Sequence, residues 1–300
     1  MRTLVQKISR FINNPGKVGY LFVLPSITIF AVFVFLPLLV SILFSVLSFD
    51  MMGNNLKFIG GANYLKLFGD GRFWNSLWNT VYYTLGTVPA QIVLALAVAL
   101  AVSRNSLVTS FSKTVFFLPA ISSMTIISIV WSFLLDNDIG IITHYAHLLG
   151  IPTSAWLKDP VWAMPAIMVV SIWKSFGFNM VILLAGLLNI PDSYYESAGI
   201  DGANKVTQFF RITLPLLLPT LGFVFVTTVI GSFQVFDQVF VMTRGGPLFK
   251  TETIVQYIYH VGFENFELGY ASAAAEVLFL IILVLSLFMV RRMRQGEESF

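Results

Sequence analysis

The sequence predicts an all-α protein, a polytopic membrane helical bundle with about six transmembrane helices. Of its 300 residues, 57% are hydrophobic and only 11% are charged, whereas soluble domains carry about 25% charged residues. Six apolar runs recur along the chain, and each reaches the roughly 20 residues that a helix needs to cross a bilayer. The chain is long enough to hold six such spans together with their connecting loops.

Each predicted span is justified by its own residues. Pro25 and Pro37 are expected to kink or shift the ends of the first span, because proline interrupts helical hydrogen bonding. Trp74 and Trp78 open the second span and suit the aromatic belt at a membrane interface. The predicted spans cover residues 18–47, 74–102, 114–135, 161–188, 214–233 and 269–290.

The distribution of Lys and Arg predicts the orientation. An even number of spans places both termini on one side, where eleven basic residues fall, against six in the opposite loops. By the positive-inside rule, residues 1–17, the polar stretch 189–215 and the tail 291–300 are predicted to be cytoplasmic. The predicted domain organisation is therefore a six-helix domain over 18–290 between two cytoplasmic segments, in the cell membrane.

Composition excludes several kinds of site. The chain has no cysteine, which excludes disulfides, thiolate metal sites and cysteine nucleophiles. No metal site is predicted, because Asp136, Asp138, His144 and His147 lie in a loop without a recognised ligand spacing. No basic cluster indicates nucleic acid. The G-x4-G-K-[ST] phosphate loop is absent, so the chain shows no means of hydrolysing ATP and is predicted not to be an enzyme.

The polar stretch 189–215 predicts two short helices joined by a glycine turn. Pro191 suits the first helical turn, and Ser193 with Glu196 has the S-x-x-E spacing of a capping box. Gly199 and Gly202 can end this helix by taking a left-handed conformation. A second helix is expected from about residue 204 to residue 210, with one apolar face.

The same stretch resembles the EAA loop of ABC importer permeases. Glu196-Ser197-Ala198, three residues, Gly202, nine residues and then Ile212-Thr213-Leu214-Pro215 fit the family pattern E-A-A-x3-G-x9-I-x-L-P. Ser197 in place of the first alanine is the one departure. The extended form with Asp201-Gly202-Ala203 is similar to carbohydrate-importer permeases, as is Phe236-Asp237 followed by Val241-Met242-Thr243-Arg244-Gly245-Gly246-Pro247.

The resemblance implies partners and roles. It implies that the loop docks on a cytoplasmic ATPase and carries ATP-driven motion into the membrane. The implied partners are a second related permease, two copies of the ATPase, an extracytoplasmic solute-binding protein, a carbohydrate and membrane lipid. ATP and Mg would be held by the ATPase, and no cofactor is expected in this chain. The implied ATPase-coupling residues are Glu196, Ser197, Ala198, Asp201, Gly202 and Ala203, although Asp201 alternatively caps the second short helix.

Polar and aromatic residues inside the later spans are candidates for the solute path. Charged groups in lipid are costly and usually face a protein interior or a wet cavity. Helices 4 to 6 line the path in the family that the chain resembles. The candidates are Lys174, Asn179, Glu276, Trp131, Trp173 and Phe176. The alternatives are a structural pair or a snorkelling lysine, and packing or interfacial roles for the aromatic rings.

The functional hypothesis is the permease subunit of an ATP-driven importer for a carbohydrate, most simply an oligosaccharide. Glycerol-3-phosphate, a polyol or an acidic sugar is the alternative solute. The positive charge of Lys174 is compatible with the anionic solutes among these. An ion-coupled secondary transporter is a further alternative, because Lys174 and Glu276 can supply an ion site. It leaves the EAA spacing unexplained.

Overall fold

The structure is a computed structural model that describes residues 15–48, 56–103, 107–150 and 155–297. The described chain divides into two compact units. One unit comprises the described parts of 1–67 with 261–276, and the other comprises those of 68–260 with 277–300. The predicted N-terminal segment up to residue 14 lies outside the described residues.

The first unit begins with a long apolar helix. This helix consists of α1 (Pro15–Phe30), a π-helical turn (Ala31–Phe35) and α2 (Leu36–Ser45), followed by β1 (Leu47–Ser48), β2 (Lys57–Phe58) and α3 (Ala62–Phe68). The two short strands pair antiparallel. Asn63 donates hydrogen bonds from Nδ2 to the backbone oxygens of Ser45 (2.8 Å) and Leu47 (3.0 Å). These bonds fix α3 against the end of α2, as buried amides require partners.

One sequence feature explains the exposed first helix. It is apolar on every side, and most of its large side chains from Tyr20 to Leu43 are exposed within this chain. A helix that is hydrophobic all round is expected to be covered by lipid or by protein. The last helix, α14, approaches Leu47 closely, because a Cβ at Gly269 would collide with the Leu47 carbonyl oxygen.

The second unit holds most of the helices. Its elements are α4 (Gly71–Val102), α5 (Leu107–Ile121), α6 (Met124–Leu134), α7 (Ile141–Leu148), α8 (Ala163–Leu188), α9 (Asp192–Ile200), α10 (Lys205–Gln208), a π-helical turn (Phe209–Thr213), α11 (Leu214–Phe233), α12 (Asp237–Met242) and α13 (Ile254–Tyr259). A π-helical turn (His260–Glu264) and α14 (Leu268–Glu297) complete the chain. The all-helical membrane fold is confirmed, apart from the short β1–β2 pair.

Helix α8 lies at the centre of the second unit. Met180 and Leu183 are fully buried in a core that α8 forms with residues of α4 and α11. Two glycines allow close approach of neighbouring helices. A Cβ at Gly177 would collide with the Phe116 carbonyl oxygen of α5, and one at Gly186 would come within 2.7 Å of Thr220 Oγ1 of α11.

The prediction of a single helix for the third span is wrong. Residues 114–135 contain two helices, and the pair Thr109–Ile121 and Met124–Leu134 is bent by 95°. Ser123 takes an extended backbone (φ −60°, ψ 131°) immediately before α6. Pro119, one turn earlier, lacks the N–H that would bond to the preceding turn. Hydropathy does not register such a break, because both pieces are equally apolar.

The other predicted spans match long helices with shifted ends. Five described helical segments are long and apolar enough to cross a membrane, or six if the bent pair counts as one span. Helix α4 begins at Gly71 rather than Trp74, because Asp70 Oδ1 caps it by accepting from the N–H groups of Arg72 (2.8 Å) and Phe73 (3.4 Å). Helix α14 continues to Glu297, beyond the predicted end at 290.

Candidate functional site

The EAA-like stretch forms two short helices with a glycine turn between them, as the sequence predicts. Helix α9 ends in a Schellman motif. The N–H of Ala203 donates to the carbonyl oxygen of Ala198 (2.8 Å), and the N–H of Gly202 donates to the carbonyl oxygen of Gly199 (3.1 Å). This motif needs a left-handed residue, and Gly202 supplies it with φ +79°. The left-handed backbone of this turn therefore explains why a glycine stands at position 202.

Two local predictions for this stretch are wrong, and one of the two alternatives for Asp201 is excluded. Ser193 is not an N-cap, because α9 begins at Asp192 and extended Pro191 precedes it without a side-chain cap. Gly199 does not take a left-handed conformation and stays inside α9. Asp201 does not cap the second helix. Asn204 does, since its Oδ1 accepts from the N–H of Thr207 at 2.8 Å.

A buried glutamine holds the two short helices together. Gln208 is buried, and its Nε2 donates to the carbonyl oxygens of Tyr195 and Ala203, both at 3.3 Å. The hydroxyls of Tyr195 and Thr213 lie 3.0 Å apart and form a second link, between α9 and the π-helical turn before α11. Through these contacts α9 is fixed to the start of α11. Sequence analysis missed Gln208 and Thr213, because neither carries a motif signal.

Among the residues that the structure describes, none covers the outer surface of this two-helix element. No residue of α9 is buried. Ile200 is 88% exposed, and Tyr194, Val206 and Phe210 are also more than half exposed. Glu196, Ser197, Asp201 and Gly202 are exposed, while Ala198 and Ala203 are half-buried against the turn. Exposed apolar side chains beside carboxylates are typical of a protein-docking surface.

A second candidate site is a polar cavity of about 360 Å³, called here the α8–α11 cavity. Its volume lies within the range of small-molecule sites. It is lined by Tyr83, Gln91, Ala120, Lys174, Ser175, Phe178, Asn179, Thr227, Thr228, Gly231, Ser232 and Gln238. Two of the six predicted solute-path residues, Lys174 and Asn179, therefore lie in one cavity.

Hydrogen bonds position the amides of this cavity. Asn179 donates from Nδ2 to Thr228 Oγ1 at 3.1 Å. Gln238 donates from Nε2 to the hydroxyls of Tyr83 (2.9 Å) and Ser171 (3.2 Å). In each amide the nitrogen already donates a hydrogen bond to a protein hydroxyl, so the carbonyl oxygen can accept one from a solute hydroxyl. Tyr83 and Gln238 were missed from sequence, because a polar residue in a span does not reveal which helix face it occupies.

The other predicted solute-path residues do not line this cavity. Trp131 and Trp173 form an edge-to-face pair with ring centroids 5.5 Å apart. Phe176 is buried in the α4–α8–α11 core, with its ring 6.0 Å from that of Phe116. Glu276 belongs to the first unit, where it is 7% exposed.

The acidic and histidine residues of segment 136–147 lie in a hydrogen-bonded turn and on the short helix that follows it. Asp136 Oδ1 accepts from the N–H groups of Asp138 (2.9 Å) and Ile139 (3.2 Å), and these bonds lower the pKa of Asp136. His144 and His147 lie on α7, the short helix expected there. Among the described residues, no group of three or more His, Cys, Asp or Glu side chains is placed to hold a metal.

Comparison with known proteins identifies the family. Residues 67–295 match the model of the binding-protein-dependent transport system inner membrane component. The chain is 34% identical over 293 residues to the probable ABC transporter permease protein YurN of Bacillus subtilis (strain 168), covering 96% of this chain and 100% of YurN. It is 36% identical over 274 residues to the lactose transport system permease protein LacF of Rhizobium radiobacter, covering 89% and 91% of the two chains.

A solved structure agrees with these relatives. A chain of a bacterial ABC transporter for import of the acidic polysaccharide alginate superposes with a TM-score of 0.80 at 26% identity, covering 98% of this chain and 99% of that chain. The protein belongs to the family of binding-protein-dependent transport system inner membrane components. It is a multi-pass permease subunit of the ABC importer type, as the EAA spacing predicted.

Proposed function

We propose that this chain is the permease subunit of an ATP-driven importer for a carbohydrate, and that its α9–α10 element docks on a cytoplasmic ATPase. The observation that carries the proposal is the geometry of the EAA-like stretch. Its Schellman turn and the Gln208 amide hold α9 against α10, which continues into α11, while no described residue of the chain covers its apolar and acidic outer surface.

This geometry supports a mechanism. A displacement applied to α9 would be transmitted to α11, because the Gln208 bonds link α9 to α10 and the Tyr195–Thr213 contact links it to the π-helical turn that leads into α11. Helix α11 lines the α8–α11 cavity through Thr227, Thr228 and Ser232. Movement of the ATPase would therefore change the access of the cavity to either side.

The solute class is proposed from the cavity and the relatives. The cavity offers neutral carbonyl oxygens and hydroxyls beside the exposed ring of Phe178, a combination suited to a polyhydroxylated ring. Relatives carry names that refer to lactose and to the acidic polysaccharide alginate. The proposed assembly adds a second permease, two ATPase copies that hold ATP and Mg, and an extracytoplasmic binding protein.

Single-cysteine variants test the docking and the orientation together. The chain has no cysteine, so Ser197→Cys and Asn137→Cys each introduce a unique thiol at an exposed position. In the assembled complex, Ser197→Cys is expected to cross-link to the ATPase and to resist an impermeant maleimide applied outside the cell. Asn137→Cys is expected to react from outside. External labelling at position 197, or cross-linking to no ATPase, would contradict the proposal.

A transport measurement separates the proposal from ion coupling. Uptake into vesicles that contain the complex should require ATP inside and persist when the proton gradient is collapsed. Uptake without nucleotide that disappears with the gradient would instead support a secondary transporter.

A further inference from the structure

We propose that the α8–α11 cavity selects a saccharide that carries an anionic group, and that Lys174 is the residue that recognises the charge. The inference rests on the proposed import function and names its solute class.

The position of Lys174 rules out snorkelling to the membrane surface. It lies near the middle of α8 (Ala163–Leu188), about 16 Å of helix from one end and about 21 Å from the other at 1.5 Å per residue. A lysine side chain extends only about 6 Å from its Cα. Its ammonium group therefore stays at the depth of the bundle interior, where the cavity supplies the polar surroundings.

The cavity supplies no negative charge. Within the described residues that line it, none is Asp or Glu, and Lys174 is the one Lys or Arg. Within the part of the chain that the structure describes, the Lys174 side chain forms no ion pair and no hydrogen bond. An unpaired ammonium inside a membrane protein is costly and commonly marks a substrate site.

The neighbouring groups suit a sugar rather than a simple anion. Asn179 and Gln238 present carbonyl oxygens whose amide nitrogens are already bonded within the protein. These oxygens can accept from ring hydroxyls but would repel a bare anion. Phe178 adds an exposed apolar ring for one sugar face. The arrangement fits a ligand with hydroxyls, an apolar ring face and one carboxylate, phosphate or sulfonate for Lys174.

Equilibrium binding to the permease–ATPase complex in lipid nanodiscs tests the inference without the binding protein. The probes are matched acidic and neutral sugars: glucuronate and glucose 6-phosphate against glucose, and digalacturonate against galactobiose. Each is titrated with nucleotide-free complex and with ADP–vanadate-bound complex. At least one acid is expected to bind about tenfold or more tightly than its neutral counterpart, as for a hydrogen bond to a charged group.

Substitutions assign that preference to Lys174. Lys174→Met is expected to reduce the ratio of acidic to neutral affinity to about one, whatever it does to the neutral affinity itself, and Lys174→Arg should retain most of that ratio. Lys113→Met is the control, because Lys113 lies on α5 outside the cavity lining. The inference is overturned if no acid outbinds its neutral partner in either state, or if the preference survives Lys174→Met.

The outcomes separate this inference from the proposed function. ATP-driven uptake of neutral sugars with no acidic preference would overturn the role of Lys174 and leave the importer proposal standing. That result would follow if a carboxylate of the second permease neutralised Lys174. Absence of ATP-dependent uptake for every solute would instead contradict the importer proposal.

Discussion

The guanidinium of Arg72 and the carboxylate of Glu252 form a two-pronged ion pair. Nη2 lies 2.6 Å from Oε1 and Nε lies 2.7 Å from Oε2, and Glu252 is only 2% exposed. Arg72 stands in the first turn of α4, and Glu252 follows the Gly245-Gly246-Pro247 turn. Asn79 Nδ2 bonds the Glu252 carbonyl at 3.0 Å. The pair therefore fixes the loop after α12 to α4.

Breaking this pair should strongly destabilise the protein. Arg72→Met leaves a buried carboxylate without its counter-charge, which typically costs about 3–5 kcal/mol. The double variant Arg72→Met/Glu252→Met should recover part of that loss, because no unpaired charge remains. Thermal unfolding of the purified complex measures both. Lys66→Met is the matched control, since the Lys66–Glu267 pair is equally short at 2.7 Å but 56% and 48% exposed, so the change should stay below about 1 kcal/mol.

Gly202→Val should abolish binding of the ATPase. A β-branched residue opposes the left-handed backbone at φ +79°, so the Schellman turn between α9 and α10 would open. Gly150→Val introduces the same kind of strain at φ +70°, also with open space around it, but away from the α9–α10 element. Co-purification of the ATPase should be lost in the first variant and kept in the second. Equal retention by both would mean that the turn does not matter for docking.

Gln208→Met should uncouple ATP hydrolysis from transport. The substitution removes the hydrogen bonds from Gln208 Nε2 to the carbonyl oxygens of Tyr195 and Ala203, each worth about 0.5–1.5 kcal/mol. Solute uptake per ATP hydrolysed is expected to fall several-fold, because only the contact between the Tyr195 and Thr213 hydroxyls then links α9 to the start of α11. Gln234→Met is the control, since Gln234 is exposed at the end of α11. An unchanged ratio in the Gln208 variant would show that the amide only fills space.

Gly177→Ala should disrupt the packing of α8 against α5. The added methyl would collide with the backbone oxygen of Phe116, which cannot move as a side-chain tip can. Overpacking of this kind typically costs about 1–3 kcal/mol, visible as a lower unfolding temperature. Gly199→Ala adds the same methyl to a helix with no atom within 4 Å, and it should be neutral or slightly stabilising. A neutral Gly177 variant would indicate that α5 can shift freely.

Most of the fold follows from hydropathy, and the exceptions have local causes. Long apolar runs predicted α4, α8, α11 and α14, because a membrane span must satisfy its own backbone. The bend between α5 and α6 was not predicted, because Ser123 interrupts the helix without interrupting the apolar run. The capping box at Ser193 was wrong, and the capping alternative for Asp201 is excluded, because a cap depends on backbone angles as well as on residue type.

By itself, the sequence determined that the chain is a membrane helical bundle with an EAA-type loop, because apolar length and motif spacing are properties of the chain in one dimension. The tertiary structure alone decided that Lys174 and Asn179 share one cavity with Gln238 while Phe176 packs in the core. It also decided that Gln208 fixes α9 to α11. These relationships join helices far apart in sequence, and helix rotation and crossing, set by close contacts such as Gly177 on Phe116, determine which side chains meet.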